Sequence, residues 1–148
     1  MAESPVVTRS GDVVAHWISP GDTVKLAVLS GPRTGSTTTV VFEIWEPGGA
    51  QPYNSHSDSS ETFVVLAGHG VADSDGHLVT LTTGDTITLP VGSRHRITNT
   101  SADERMYTLT VMANDDGFAD LIERGPVAPL DDADLAVLRR LQGSAVAG

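Results

Sequence analysis

Residues 48–68 read GGAQPYNSHSDSSETFVVLAG, and residues 84–99 read GDTITLPVGSRHRITN. In the first stretch Asn54 and His56 stand two apart, so in extended chain their side chains share a face. Glu61 follows five positions after His56, an odd offset that would put it on the opposite face of one continuous strand. Ser57-Asp58-Ser59-Ser60 carries turn chemistry, and a turn there resets the parity and starts a new strand with Glu61 facing inward beside His56. Phe63 and Val65 share the parity of Glu61, so they are expected to form the apolar lining of a substrate pocket, with Tyr53 at its rim. In the second stretch Pro90 and Gly92 make a tight turn that delivers His95 to the same point. Two imidazoles and one carboxylate that converge with open positions form a ligand set suited to Fe(II) and related divalent metals.

Around these stretches lie short runs rich in Val, Ile, Thr and Leu, punctuated by 15 Gly and 8 Pro. Such a pattern reads as an all-β sandwich or barrel. Strands are expected at 23–30, 38–46, 62–66, 78–82, 86–89, 95–99 and 105–113, each bounded by turn residues. Asp75-Gly76 and Gly84-Asp85 mark tight turns between neighbouring strands, and Pro32, Gly35 and Ser36 a looser loop. Consecutive short strands imply antiparallel pairing.

After the last of these runs the periodicity changes. Phe118, Leu121 and Ile122 recur at helical spacing within 116–124, as do Leu135, Leu138 and Leu141 within 131–142. Asp131 stands where an N-cap belongs, Asp132 and Asp134 lie in the first turn, and Arg139 and Arg140 lie in the last, matching the helix dipole. This second helix is expected to cover a face or edge of the barrel or to make a dimer contact, and Ser144–Gly148 to fray. The fold class is therefore all-β: an antiparallel β-barrel or jelly roll with two short C-terminal helices. One domain is expected over 1–148, with the barrel core at about 23–113 and the helical segment at about 116–142.

The chain of 148 residues is long enough to bury one sizeable core without covalent staples, and it has no cysteine. Nine Lys and Arg against nineteen Asp and Glu leave a net charge of −10. That charge repels nucleic-acid phosphates and anionic membrane surfaces, so neither is expected as a partner. No apolar run approaches the ~20 residues of a membrane span. Met1–Pro5 has neither a basic nor an apolar leader pattern, and a cytoplasmic location is the expectation. His16, His69 and His77 fit neither stretch and read as surface or satisfied histidines, while Trp17, Phe42, Trp45 and Tyr107 read as packing residues.

The two stretches resemble the paired signature motifs of the cupins, a family of small β-barrels. The family's first motif is Gly, five residues, His, one, His, three or four, Glu, six, Gly; here it falls on Gly48, Asn54, His56, Glu61 and Gly68. The second is Gly, five, Pro, one, Gly, two, His, three, Asn; here it falls on Gly84, Pro90, Gly92, His95 and Asn99. Nine of these ten fixed positions match, and the resemblance spans about Thr38 to Ala113. The departure is Asn54, which stands where the family has its first metal-binding histidine. The segment from Asp116 to Pro126 is similar to the tail of quercetinase-like single-domain cupins.

The resemblance implies one divalent metal ion (Fe, Mn, Ni, Co or Zn), a small-molecule substrate and a homodimer. His56, Glu61 and His95 would be its ligands, with Asn54 offering a neutral amide oxygen, a poorer donor than imidazole. The activity it implies first is that of a dioxygenase acting on an enolised or phenolic small molecule, with Glu61 as the catalytic proton acceptor. One alternative is a non-redox, metal-assisted cyclase, isomerase or decarboxylase, as in polyketide-cyclase-like cupins. Another is a small-molecule-binding barrel without turnover, in which Asn54 marks a lost centre.

Overall fold

The computed structural model describes residues 3–142; the expectation of a frayed Ser144–Gly148 falls outside them. The strands are β1 (Ala15–His16), β2 (Val24–Ser30), β3 (Thr38–Trp45), β4 (Ser60–Ala67), β5 (His69–Ser74), β6 (His77–Thr82), β7 (Thr86–Leu89), β8 (His95–Asn99), β9 (Met106–Ala113) and β10 (Val127–Ala128). Two helices follow β9: α1 (Phe118–Glu123) and, after β10, α2 (Asp132–Gln142). A seven-stranded sheet runs β10-β1-β2-β3-β9-β4-β7 and a three-stranded sheet runs β6-β5-β8, with every pairing antiparallel. The architecture is an antiparallel jelly roll.

Strand parity explains how the sheets stack. On β3, Val41 and Trp45 enter a core shared with Phe63, Val65 and Leu89 of the large sheet and Ala72, Leu81 and Ile97 of the small one. That is the barrel interior. Phe42 and Ile44, at the alternate positions, enter a second cluster with Tyr107 and Leu138 on the outer face. β3 is thus buried on both sides, which is why its sequence is a nearly unbroken apolar run.

The outer cluster is roofed by α2. Asp134 is fully buried and accepts hydrogen bonds from Lys25 Nζ at 2.9 Å, Tyr107 Oη at 2.9 Å and Arg105 Nη1 at 3.0 Å. Asp131 caps the helix: its Oδ1 accepts from the Asp134 amide at 2.9 Å, and its own amide donates back to Asp134 Oδ2 at 3.1 Å. The helix covers the sheet face rather than an edge.

Three parts of the fold differ from the sequence expectation. β5, which is not among the expected strands, mixes polar residues with glycine in His69-Gly70-Val71-Ala72-Asp73-Ser74 and is a central strand paired with β6 and β8. Gly70 makes that possible, since a Cβ there would stand 2.4 Å from the Thr98 carbonyl oxygen. β1 and β10 span two residues each, too few for periodicity to register. Asp75-Gly76 does close a two-residue hairpin, with φ of 50° and 85° at the two positions. Gly84-Asp85, by contrast, joins β6 in the small sheet to β7 in the large one, so it turns the chain between sheets. No helix among the described residues is long and apolar enough to cross a membrane.

Candidate metal centre

Asn54 and His95 are held together by backbone. His95 N donates to the Asn54 carbonyl at 2.8 Å and Asn54 N donates to the His95 carbonyl at 3.0 Å, an isolated antiparallel bridge. Residues opposite one another in such a bridge project to the same face. The turn at Pro90–Ser93 closes with Ser93 N on the Pro90 carbonyl at 3.1 Å, while Gly92 N donates to the His56 carbonyl at 2.8 Å. The two signature stretches are thereby sewn to each other. Asn99, the last residue of the second, is fully buried, and its Nδ2 donates to the carbonyls of Trp45, Glu46 and Glu104. It fixes the strand ends.

Glu61 enters from β4, where the Ser57–Asp58 bend precedes the strand and sets its parity inward. It is buried between partners on β7 and β9. Glu61 Oε1 lies 3.0 Å from His95 Nε2 and 3.6 Å from His56 Nε2. One ligand atom from each of the three residues lies within 4.8 Å of the other two. His95 Nδ1 donates to the Ser93 carbonyl at 3.2 Å, which turns Nε2 toward Glu61.

Two buried atoms have no hydrogen-bond partner among the described residues: His56 Nε2 and Asn54 Oδ1. Leaving such atoms unpaired costs about 1–3 kcal/mol each. His56 Nε2 belongs to this cluster, and a divalent cation there would satisfy it together with Glu61 and His95, while Asn54 is bridged to His95 by backbone and lines the same cavity as Glu61. The donor set of two imidazoles and a carboxylate therefore fits a metal ion.

The electrostatics agree with that geometry. Burial acts to raise the Glu61 carboxyl, but the facing imidazoles of His56 and His95 outweigh it and hold it below the ordinary carboxylate range. The adjacent Glu61 carboxylate raises the His56 imidazole against the opposing effect of burial, and Asp116 adds to the rise.

A cavity of about 250 Å³ opens beside Glu61 and Asn54. Its apolar wall includes Val24, Leu26, Trp45, Pro52 and, from α1, Phe118 and Leu121. The Phe118 ring stands edge-on to His56, centroids 6.4 Å apart. α1 thus covers the mouth of the barrel at the metal cluster. A second cavity of about 210 Å³, between residues 8–16, 28–34 and α1, has no converging donor set.

The expected pocket lining is corrected in three places. Phe63 and Val65 do turn inward but are sealed in the core and do not line the cavity. Phe63 packs edge-on against the ring of Trp45, 6.3 Å between centroids, and Trp45 lines the cavity in its stead. Tyr53 neighbours Asn54 in extended chain, so it points the opposite way. It is 41% exposed, donates to Asp73 Oδ2 at 2.7 Å, and lies beneath the Arg94 guanidinium, 4.4 Å from its ring centroid.

Sequence reasoning also missed Glu43, which lines the cavity from β3. Its Oε2 accepts from Thr110 Oγ1 at 2.9 Å and Thr108 Oγ1 at 3.2 Å. Burial, with the Glu61 carboxylate adding to it, pushes this carboxyl up to about 8. The signal was present: a lone acid at the inward parity of an otherwise apolar strand, between Val41 and Trp45.

Comparison with known proteins fits this picture. Residues 41–112 match the family model described as a cupin domain. The chain is 28% identical over 110 residues to a quercetin 2,3-dioxygenase of Bacillus subtilis (strain 168), covering 74% of this chain and 32% of that protein. It thus spans about a third of the length of that curated relative. A cupin-2 domain from Rhodospirillum rubrum superposes with a TM-score of 0.61 at 26% identity, covering 93% of this chain and 89% of that one. A predicted oxalate decarboxylase from Thermotoga maritima superposes with a TM-score of 0.64 at 24% identity, covering 72% of this chain and 97% of that one, a likeness of fold.

Proposed function

The chain belongs to the cupins through its domain at residues 41–112, and from that premise we propose that it is a metal-dependent dioxygenase acting on an enolised or phenolic small molecule. The observation that carries this reading is the buried, partnerless His56 Nε2 beside Glu61 and His95, at the end of an apolar cavity. Two histidines and one carboxylate with open positions are the ligand set of non-haem iron oxygenases. The resemblance to a quercetin 2,3-dioxygenase supports the same reaction class.

His56, Glu61 and His95 would hold the ion, with the Asn54 amide oxygen beside them. A divalent ion there supplies Lewis acidity toward an enol or phenol oxygen and, where it is redox-active, the capacity to engage dioxygen. Glu61 is ionised at neutral pH and accepts the proton of the substrate hydroxyl. The Ser93 carbonyl fixes the His95 ring so that only Nε2 faces the cluster. Phe118 of α1, edge-on to His56, shields the reacting end of the cavity from water. The docking of α2 on the barrel through Asp134 supports reading the whole chain as one cupin domain.

Asn54 favours a second reading. An amide oxygen in place of imidazole weakens tuned redox ligation while leaving a Lewis-acid role intact, which suits a cyclase, isomerase or decarboxylase. Protein loaded separately with Fe, Mn, Ni, Co or Zn and offered enolised aromatic substrates distinguishes the two. Oxygen consumption stoichiometric with product is the expected result. Anaerobic turnover that a chelator stops would establish the second reading, and saturable binding without product under either atmosphere would sink both.

A further inference from the structure

Glu43 is buried in the barrel, 3% exposed, yet the metal cluster does not use it. Both hydroxyls that contact its carboxyl, from Thr108 and Thr110, bind one oxygen, Oε2. The Trp45 indole Nε1 donates to Thr108 Oγ1 at 3.0 Å, which occupies a lone pair of that hydroxyl and sends its proton toward Glu43. Three side chains thus orient one carboxyl oxygen. The other, Oε1, takes no hydrogen bond from the described residues, and the residue lines the same cavity as Glu61 and Asn54.

We propose that Glu43 is a substrate-recognition residue that hydrogen-bonds through Oε1 to a second oxygen function of the substrate, apart from the one taken by the metal cluster. This rests on the reading of His56, Glu61 and His95 as the site that takes the substrate's enol or phenol oxygen. The rest of the cavity narrows the substrate class. At about 250 Å³ it falls below the roughly 300–1,000 Å³ of sites for drug-sized ligands, which suits one or two fused rings. Its walls are mainly apolar, and no lysine or arginine among the described residues lines it, whereas Asp22, Glu43 and Glu61 do. A substrate with a remote carboxylate or phosphate would face carboxyl groups without a countercharge. The occupant is therefore a compact, uncharged, mainly apolar molecule with two separate oxygen functions. A carboxyl held nearly neutral in its apolar setting can offer a proton to a carbonyl or accept one from a hydroxyl.

The test is calorimetric titration of 3-hydroxychromone and of 3,7-dihydroxychromone, which differ only in the remote hydroxyl. Zinc-loaded protein and chelator-treated protein are titrated side by side. The remote hydroxyl is expected to tighten binding about tenfold in the unaltered protein, the scale of one net hydrogen bond, and to lose that advantage in Glu43→Leu. Glu43→Gln, which keeps a donor and an acceptor, should retain most of it. Thr110→Val, which removes one anchor of Oε2 while conserving volume, should reduce it and provides the test where Glu43→Leu does not fold. No preference in the unaltered protein, an unchanged preference in Glu43→Leu or Thr110→Val, or no binding of either compound overturns the proposal. Failure of zinc uptake with the Glu43-dependent preference intact in both preparations overturns the metal reading alone.

Discussion

Asn54 and His95 exchange both backbone hydrogen bonds, at 2.8 and 3.0 Å, so the residue that departs from the cupin pattern is clamped beside one of the histidines that keeps it. The bridge fixes the Asn54 backbone beside His95, and its side-chain Oδ1 is buried without a partner. Asn54→His should therefore place an imidazole in the cluster and tighten metal binding, measured by competition with a chromophoric chelator. Asn54→Ala should weaken binding by roughly tenfold, a loss closer to that of an accessory group than of a principal ligand. His56→Ala and His95→Ala should each abolish metal retention through desalting. A full equivalent of metal kept by either histidine variant would end the ligand assignment.

Metal uptake should release protons and weaken in acid, because His56 must be neutral at Nε2 to bind. The Glu61 carboxylate raises the His56 imidazole, so the competing proton is held to a higher pH than on an ordinary histidine. Affinity should fall as the pH drops through that raised value and level off above it. Titrations in two buffers of different ionisation enthalpy would count the protons released. A flat affinity between pH 5 and 8 would contradict the geometry.

Glu43 makes the opposite kind of prediction, about folding stability. Its carboxyl titrates near 8 in the fold against 4.5 for an unperturbed group, so between those values the folded state binds the extra proton. Stability must then decline as pH rises across that window, by an amount on the order of a few kcal/mol in metal-free protein. Glu43→Gln, which stays neutral throughout, should remove most of the decline. Urea unfolding of both proteins at pH 5 and pH 8, with chelator present, gives the comparison. Parallel pH profiles would show that Glu43 is not the group responsible.

What could be read from the chain followed from how local each signal is. The reset of parity at Ser57–Ser60 was legible because serine and aspartate favour turns whatever surrounds them, and that one step placed Glu61 inward. Phe63 and Val65 show the limit of the same rule: parity gives the face but not the depth, and only packing reveals that Trp45 stands between Phe63 and the cavity. Tyr53 turns away because adjacent residues of an extended chain face opposite sides, so its nearness in sequence to Asn54 does not bring it to the cavity. β5 was invisible since its pairing depends on the absence of a side chain at Gly70, a tertiary requirement with no local periodicity. Glu43 shows locally as a lone acid on an apolar strand, but its anchoring does not, because its partners Thr108 and Thr110 lie some 65 residues away on β9, the neighbour of β3.

The buried Lys25–Asp134 pair should dominate the attachment of α2. Asp134 has no exposure, and its carboxylate meets Lys25, Arg105 and Tyr107 as well as the Asp131 amide. Asp134→Ala leaves the Lys25 ammonium, itself 7% exposed, with only the Pro129 carbonyl at 3.0 Å. Breaking one side of such a pair costs about 3–5 kcal/mol, chiefly because the surviving charge stays buried and unpaired. Leu138→Ala, which removes only apolar packing from the same helix, should cost about 2–5 kcal/mol. Size alone does not separate the two variants, but a rescue experiment does. Adding Lys25→Met to Asp134→Ala removes the stranded ammonium and should restore part of the lost stability, whereas adding it to Leu138→Ala should lower stability further. Denaturant unfolding of the two double variants measures this directly. If Lys25→Met fails to rescue Asp134→Ala, the carboxylate acts on α2 through Tyr107, Arg105 and the helix cap, and the ammonium is satisfied without it.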